Sequence, residues 1–480
     1  MTAPGAGSMF GSWYSRAATR DVRLIAFCVF VTAVVVYNMN LRQVSSDDTR
    51  AARYVPISLL RAGNLDLNEF FPPAIEGALP YFLFEKNGHR YDSYPLVTPL
   101  LALPIYAPLV YADLPLNDYQ LATFASKVAA SVQTAAAVAV FFLLACRMVG
   151  ARRLADPGGA GALLATVVIA FGTSLWSTAS QGLYTHATAA LGLTVALHSL
   201  LRGRPLLAGL AAGVAASARP AVALAVAILA GAAWFLGDGR ARPAVRYAAG
   251  VGTVALLTIW HKVWLFGDLV GNDLAAKNIM WLEWAGTTSV FGGNLVEGFL
   301  GSLINPSRGL LVHSPILVFA LAGAWRVWRG RLADSQVMRP ALVVARFAAI
   351  AALAVALLYG KHIVWWGAHG YGAKYLTDVL PLLALMIPFG VGCTGWGVRA
   401  NRVDGANLRR STAAILLLWS IGVQIVGVTS HPSTWLLDKN PPYYERLWDW
   451  RHNQIVSCLR EGPRLDPALR RLIGSLGQLR

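Results

Sequence analysis

PLVTPLLALPIYAPLVY, Pro95 to Tyr111, is the stretch that decides how this chain is threaded. It is apolar enough to enter a bilayer, yet it carries Pro95, Pro99, Pro104 and Pro108. A proline inside a helix removes a backbone hydrogen bond, and lipid offers no replacement. Hydropathy therefore leaves crossing and not crossing open, and the charges on either side choose between them. If the run stays in the outer leaflet, the helix from about Thr123 to Leu144 points inward and delivers Arg147, Arg152 and Arg153 to the cytoplasm. The later basic turns then fall inside as well: Arg202 with Arg204, Arg240 with Arg242 and Arg246, Arg326 with Arg329, Arg331 and Arg339, and Arg399 with Arg402, Arg409 and Arg410. A full crossing would put all of them outside, against the cytoplasmic bias of Lys and Arg.

Composition agrees with a membrane fold. The chain has 480 residues, of which 56% are hydrophobic and only 14% charged, and its mean hydropathy is +0.51. Those values exclude a water-soluble domain of this length and predict an all-α polytopic membrane protein. The expected spans number about eleven, at roughly 22–40, 122–146, 159–178, 184–201, 205–218, 220–236, 244–264, 310–326, 341–360, 375–394 and 411–430. A net charge of +17 would suggest nucleic acid in a soluble chain. Here it reports orientation, and no interleaving of basic and aromatic residues calls for a nucleic-acid partner. Cys28, Cys146, Cys393 and Cys458 have neither metal-ligand nor disulfide spacing.

Arg16, Arg20 and Arg23 precede the first span, so residues 1–21 read as a cytoplasmic leader ahead of an uncleaved signal anchor. Residues 22–430 form the membrane domain, with a first outer loop at 42–121. Within that loop, VPISLLRAG and the segment around ALPYFLF are too short to span and are expected to lie as helices on the membrane surface. Residues 431–480 form an outer tail, which is basic against the charge rule; long translocated segments obey that rule less strictly. Its last stretch, DPALRRLIGSLGQLR, gathers leucines on one helical face.

This threading puts a set of polar residues on the outer side. SSDDTRAARY, from Ser45 to Tyr54, places Asp47 and Asp48 just beyond the first span, with Arg42, Arg50 and Arg53 near. Adjacent carboxylates repel unless cations lie close. Such a group suits a phosphorylated, lipid-linked substrate: a carboxylate takes a proton from an acceptor while guanidinium groups such as that of Arg50 hold phosphate. The pair could also bind a divalent cation, Mg or Mn. Tyr94 follows in HRYDSYP, and His186 in FGTSLWSTASQGLYTH. Arg219 in the ARP step splits an apolar run into two short helices; an arginine at that depth is costly without a partner, and it either meets an anionic phosphate, snorkels to head groups or pairs with an acid. NPSRGLLVHSP puts Arg308 directly before a span. KHIVWWGAHGYGAKYLTD crowds Trp366, His369, Tyr371, Lys374 and Tyr375 into one loop. An aromatic belt accounts for the tryptophans. Glycines at 367, 370 and 372 suggest instead a backbone that closely approaches a ligand.

In this order, with the acidic pair followed by YPLVTPLL, FGTSLW…H, ARP, NPSRGLLVHSP and WWGAHGYGAKYL, the chain resembles bacterial glycosyltransferases of the GT-C fold, such as the aminoarabinose and protein mannosyl transferases. The likeness covers about residues 22–430 and rests on the order of short motifs. It implies a polyprenyl-phosphate sugar donor, transfer at the outer face of the bacterial plasma membrane, and a glycan, lipid or protein acceptor. Under it, Asp47 or Asp48 is the catalytic acid, and Arg219, Arg308 and Lys374 are phosphate contacts. Lys374 stands where arginine is expected; it keeps the charge and loses the bidentate fork. A flippase of lipid-linked sugars would instead place polar groups mid-span and show two related halves. A polymerase or ligase would build a chain rather than transfer one sugar.

Overall fold

A computed structural model describes residues 20–72, 79–267, 281–329, 338–393, 403–430 and 444–464, together with Ile279, Trp435, Leu436 and Pro442. The leader at 1–19 and the leucine-faced stretch at 466–480 lie outside the described residues.

The longer helices, in order, are α1 (Arg20–Asn38), α2 (Val55–Ala62), α3 (Val97–Tyr111), α4 (Tyr119–Val149), α5 (Gly159–Phe171), α6 (Thr185–Leu201), α7 (Pro205–Ala218), α8 (Ala223–Leu236), α9 (Ala241–Phe266), α10 (Leu295–Ile304), α11 (Val318–Trp328), α12 (Arg339–Gly360), α13 (Val403–Thr429) and α14 (Gln454–Glu461). Six helices among the described residues are long and apolar enough to cross a membrane: Arg20–Asn38, Tyr119–Val149, Gly159–Ser177, Ala241–Phe266, Arg339–Gly360 and Leu408–Thr429. Shorter apolar helices fill the other expected spans.

Local chemistry sets the helix ends. The Asp118 side chain accepts from Leu121 N at 2.9 Å, and Gly150 closes the same helix in the left-handed conformation. α7 ends where Arg219 is extended and Pro220 opens a tight turn into α8, as the ARP step requires. Small residues let helices touch. A Cβ on Gly209 would lie 1.9 Å from Tyr247 O, and one on Gly250 would lie 2.4 Å from Leu206 O, so α7 and α9 meet backbone to backbone.

α3 forms despite Pro104 and Pro108 in its interior. Its 15 residues reach only about 22 Å at ~1.5 Å per residue, against a hydrocarbon thickness of ~30 Å. Ala102, Tyr106 and Val110 pack on Tyr54, Ile57, Ala122 and Ala125, which joins α2, α3 and α4 into a subsidiary core.

Two expectations need correction. The ALPYFLF segment is not a surface helix. From Leu83 it is a strand, Leu83–Lys86, paired antiparallel with His89–Asp92. Asn87 and Gly88 both take positive φ, 53° and 78°, which is the two-residue hairpin turn that an Asn-Gly pair favours. The expected spans 310–326 and 375–394 are also broken. Leu310–His313, a turn at Pro315–Leu317 and α11 replace the first. Tyr375–Val379, Leu380–Ala384 and Ile387–Val391 replace the second, with Pro315, Pro381 and Pro388 in the first turns of the new segments.

Charge divides between the two ends of the bundle. At one end Arg202 sits beside Arg204 and Arg23; burial and those two cations push its guanidinium below its ordinary value. Asp238 pairs with Arg339 at 2.7 Å, and a Cβ on Gly392 would lie within 4 Å of both Arg326 Nη1 and Arg409 Nη1. The opposite ends of the same helices, at His186 of α6, Tyr359 of α12 and Ser430 after α13, converge on the first loop. α4 connects the ends, with Ser126 near Gln43 and Arg147 a full helix away.

Candidate active site

The acidic pair divides. Asp47 faces Arg50 at 3.6 Å, with side chains 57% and 46% exposed. Asp48 turns inward: Oδ2 accepts from Lys374 Nζ at 2.6 Å, and Oδ1 accepts from the hydroxyls of Tyr81 and Tyr94, each at 3.0 Å. The hairpin makes this possible. Ser93 N donates to Phe82 O and Ser93 Oγ to Tyr81 O, so the two strand ends bring Tyr81 and Tyr94 together above the 47–49 turn. Tyr184 anchors that turn from below, its hydroxyl receiving Ser46 N at 2.6 Å. Burial drives the Asp48 carboxyl upward. The Lys374 ammonium and the three hydrogen bonds outweigh it and hold the carboxyl below the usual carboxylate range.

Lys374 reaches Asp48 because the glycine loop folds tightly. Gly367, Ala368 and Gly372 take positive φ. Lys374 Nζ also donates to His369 O at 3.0 Å and lies 4.9 Å from the centre of the Tyr184 ring. Two groups brace the loop from behind. Arg308, 1% exposed, donates through Nη1 to Gly370 O at 2.7 Å and through Nη2 to Ala368 O at 2.9 Å. Gln454 of α14 accepts from Gly372 N at 3.0 Å and donates to Gly370 O at 2.8 Å. Arg308 is thus buried, with both of its Nη atoms bracing loop carbonyls.

One turn further along the chain, Asp378 carries a second network, fully buried. Its Oδ1 meets His186 Nδ1 at 2.7 Å. Its Oδ2 accepts from Arg219 Nε at 3.0 Å and from the Tyr359 hydroxyl at 2.5 Å. Arg219 Nη2 donates to the same hydroxyl at 2.9 Å, and its guanidinium lies over the rings of Tyr359 and Tyr375, which stack 5.0 Å apart. The pairing with an acid that the sequence allowed Arg219 is formed, with Asp378. The Arg219 side chain as a whole keeps a fifth of its surface open. The imidazole of His186 and the ring of Tyr184 are 6.0 Å apart, centre to centre, so the two networks adjoin.

The structure therefore gathers Asp48, Lys374 and Tyr94 in one group, and His186, Arg219 and Tyr375 in the next. Arg50 stays at the rim with Asp47. His369 borders Lys374 through its carbonyl, and burial together with the neighbouring ammonium lowers its imidazole below the usual value. Tyr371 and Trp366 make their contacts elsewhere. The Tyr371 hydroxyl donates to Val423 O at 2.9 Å in the core, and Trp366 packs among Trp281, Trp284 and Trp365. These contacts seat the loop's aromatics against the rest of the protein.

A divalent cation does not fit the acidic pair as it stands. Each carboxylate already faces a cationic side chain, and no group of three or more His, Cys, Asp or Glu among the described residues could hold a metal.

Asp378, Tyr359 and Tyr81 went unread in the sequence. Asp378 had a signal, because an acid four residues after Lys374 at the start of an apolar run needs a buried partner. Tyr81 had none, since only the hairpin register brings it to Asp48.

No family model matches the chain, and no curated protein matches it. Among solved structures it is similar to the crystal structure of ArnT from Cupriavidus metallidurans bound to undecaprenyl phosphate. The identity is 14% and the TM-score 0.46, with 84% of this chain and 74% of that chain covered. What this chain does chemically rests on its own residues.

Proposed function

We propose that the protein is a membrane glycosyltransferase that moves a sugar from a polyprenyl-phosphate donor to an acceptor at the outer face of a bacterial plasma membrane. The observation that carries this reading is the contact between Asp48 and Lys374, 326 residues apart and 2.6 Å from one another. In a chain so poor in charge, an ionised carboxylate and an ammonium meet at the end of the bundle away from the arginine turns. Donor phosphate draws Lys374 toward itself and frees Asp48 Oδ2 for the acceptor hydroxyl. Asp48 takes the hydroxyl proton, the acceptor oxygen bonds to the anomeric carbon, and the bond to phosphate breaks with its electrons passing to the leaving phosphate. Lys374, the open edge of Arg219, and Arg50 at the rim neutralise that phosphate. Direct displacement inverts the anomeric configuration.

The Asp48 and Asp378 networks lie together at one end of the bundle rather than midway along the spans, which favours transfer over transport. Product analysis separates transfer of one sugar from polymerisation. The test is lipid extraction from a deletion strain, where an accumulated polyprenyl-phosphate sugar is expected, followed by transfer from that extract by purified protein. No accumulated donor and no transfer would overturn the reading.

A further inference from the structure

The geometry points to His186 as a hydrogen-bond acceptor for the 2-hydroxyl of the transferred sugar, held in the accepting tautomer by Asp378. This rests on the glycosyltransferase reading and adds to it a residue that selects the sugar.

Asp378 lies between two obligatory donors, the Arg219 guanidinium and the Tyr359 hydroxyl, both on Oδ2. A carboxylate so placed is ionised and has no proton to give, so His186 Nδ1, 2.7 Å from Oδ1, must carry the hydrogen. Arg219 already balances the charge of Asp378. A protonated imidazole would add an uncompensated charge at a position 1% exposed, so the ring is neutral. Nε2 then offers a lone pair and points away from Asp378, and it has no hydrogen-bond partner among the described residues. A lone pair repels phosphate and accepts from a hydroxyl.

Position narrows the hydroxyl. His186 shares Asp378 with Arg219 on one side, and on the other stands one tyrosine ring from Lys374. These are two of the three cations assigned to the donor phosphate. A group between them meets the carbon next to the one that bears the phosphate. A hydrogen bond to a 2-hydroxyl strengthens as positive charge develops on the sugar ring, so the contact acts on rate more than on affinity.

The test compares wild type with H186N, which keeps an amide donor toward Asp378 and lacks an acceptor at the Nε2 position, and with H186Q, whose Oε1 replaces that acceptor. Binding is read with undecaprenyl phosphate, which has no sugar, and turnover with the donor extracted from the deletion strain. H186N is expected to bind undecaprenyl phosphate within about two-fold of wild type while kcat falls about 100-fold, and H186Q to recover part of the loss. In the 15N spectrum of histidine-labelled protein, the His186 signal is expected to report an Nδ1–H tautomer. Full turnover by H186N, an Nε2–H tautomer, or parallel loss of phosphate binding and thermal stability in both variants would overturn the assignment. Absence of transfer by wild type itself would instead sink the glycosyltransferase reading, and this assignment with it.

Discussion

Asp48 is 24% exposed and meets an ammonium and two hydroxyls, whereas Asp47 is 57% exposed beside one arginine. Asp48→Asn should therefore lower the transfer rate about 10²–10⁴-fold, while Asp47→Asn stays within about three-fold, since an exposed ion pair contributes little. Initial rates with the extracted donor distinguish the two. The depressed value of Asp48 also fixes a pH dependence. Its ion pair with Lys374 stabilises the fold above the ordinary aspartate range, near pH ~4, and that contribution is lost only as pH falls through the lower folded value. The acid limb of the wild-type rate profile should therefore not report Asp48. In Lys374→Met only the Tyr81 and Tyr94 hydrogen bonds still oppose burial, the carboxyl rises, and the acid limb should move up by about 1–2 pH units while undecaprenyl phosphate binds more weakly. An unmoved limb would show that Lys374 does not set the charge of Asp48. Because Lys374 fills the place a divalent cation would take beside Asp48, EDTA should leave the rate unchanged. A rate lost to EDTA and restored by Mg or Mn would show that the pair takes a metal.

The loop from Lys361 to Lys374 is the element on which the site turns, and its glycines have separate tasks. A Cβ on Gly370 would lie 2.9 Å from Lys374 Cδ, the movable part of a flexible side chain. Gly372 combines a φ of 61° with a His313 ring atom 2.8 Å from the position of a Cβ, so a side chain there meets strain and a clash together. Gly372→Ala should accordingly reduce transfer at least tenfold and Gly370→Ala less, with equal amounts of each in the membrane by immunoblot. The sequence marked this loop through its glycines but not what holds it. The resemblance implied a phosphate contact at Arg308, and nothing local in the sequence announces its hydrogen bonds to carbonyls about 60 residues away. Gln454, from a tail that reads as an appendage, closes the loop from outside.

At the scale of the whole molecule, the bundle of apolar helices and its basic turns were legible, because hydropathy and charge parity are summed over many residues and survive local error. The proline-interrupted run at Pro95 to Tyr111 was kept in the outer leaflet on the parity of the flanking arginines, and α3 is a 15-residue helix packed on α2 and α4. The breaks at Pro315, Pro381 and Pro388 were missed because mean hydropathy across each stretch hides a proline that starts a new segment. The hairpin was missed because a short apolar stretch reads equally as helix or strand until its Asn-Gly turn is weighed. The site was half legible. Asp48, Lys374, His186 and Arg219 stood out as polar residues in an apolar chain; Asp378 left a local signal that went unread, and Tyr359 and Tyr81 emerge only when the hairpin and distant helices meet.

The central claim is that the acidic turn and the glycine loop form one pocket on the outer face, away from the arginine turns. Single cysteines at positions 47, 369 and 240, in a chain whose four native cysteines are replaced, can be reacted with a membrane-impermeant maleimide on intact cells. Labelling is expected at Asp47→Cys and His369→Cys and not at Arg240→Cys until the membrane is opened. Labelling of positions 47 and 369 from opposite sides, or of position 240 together with either of them on intact cells, would contradict it.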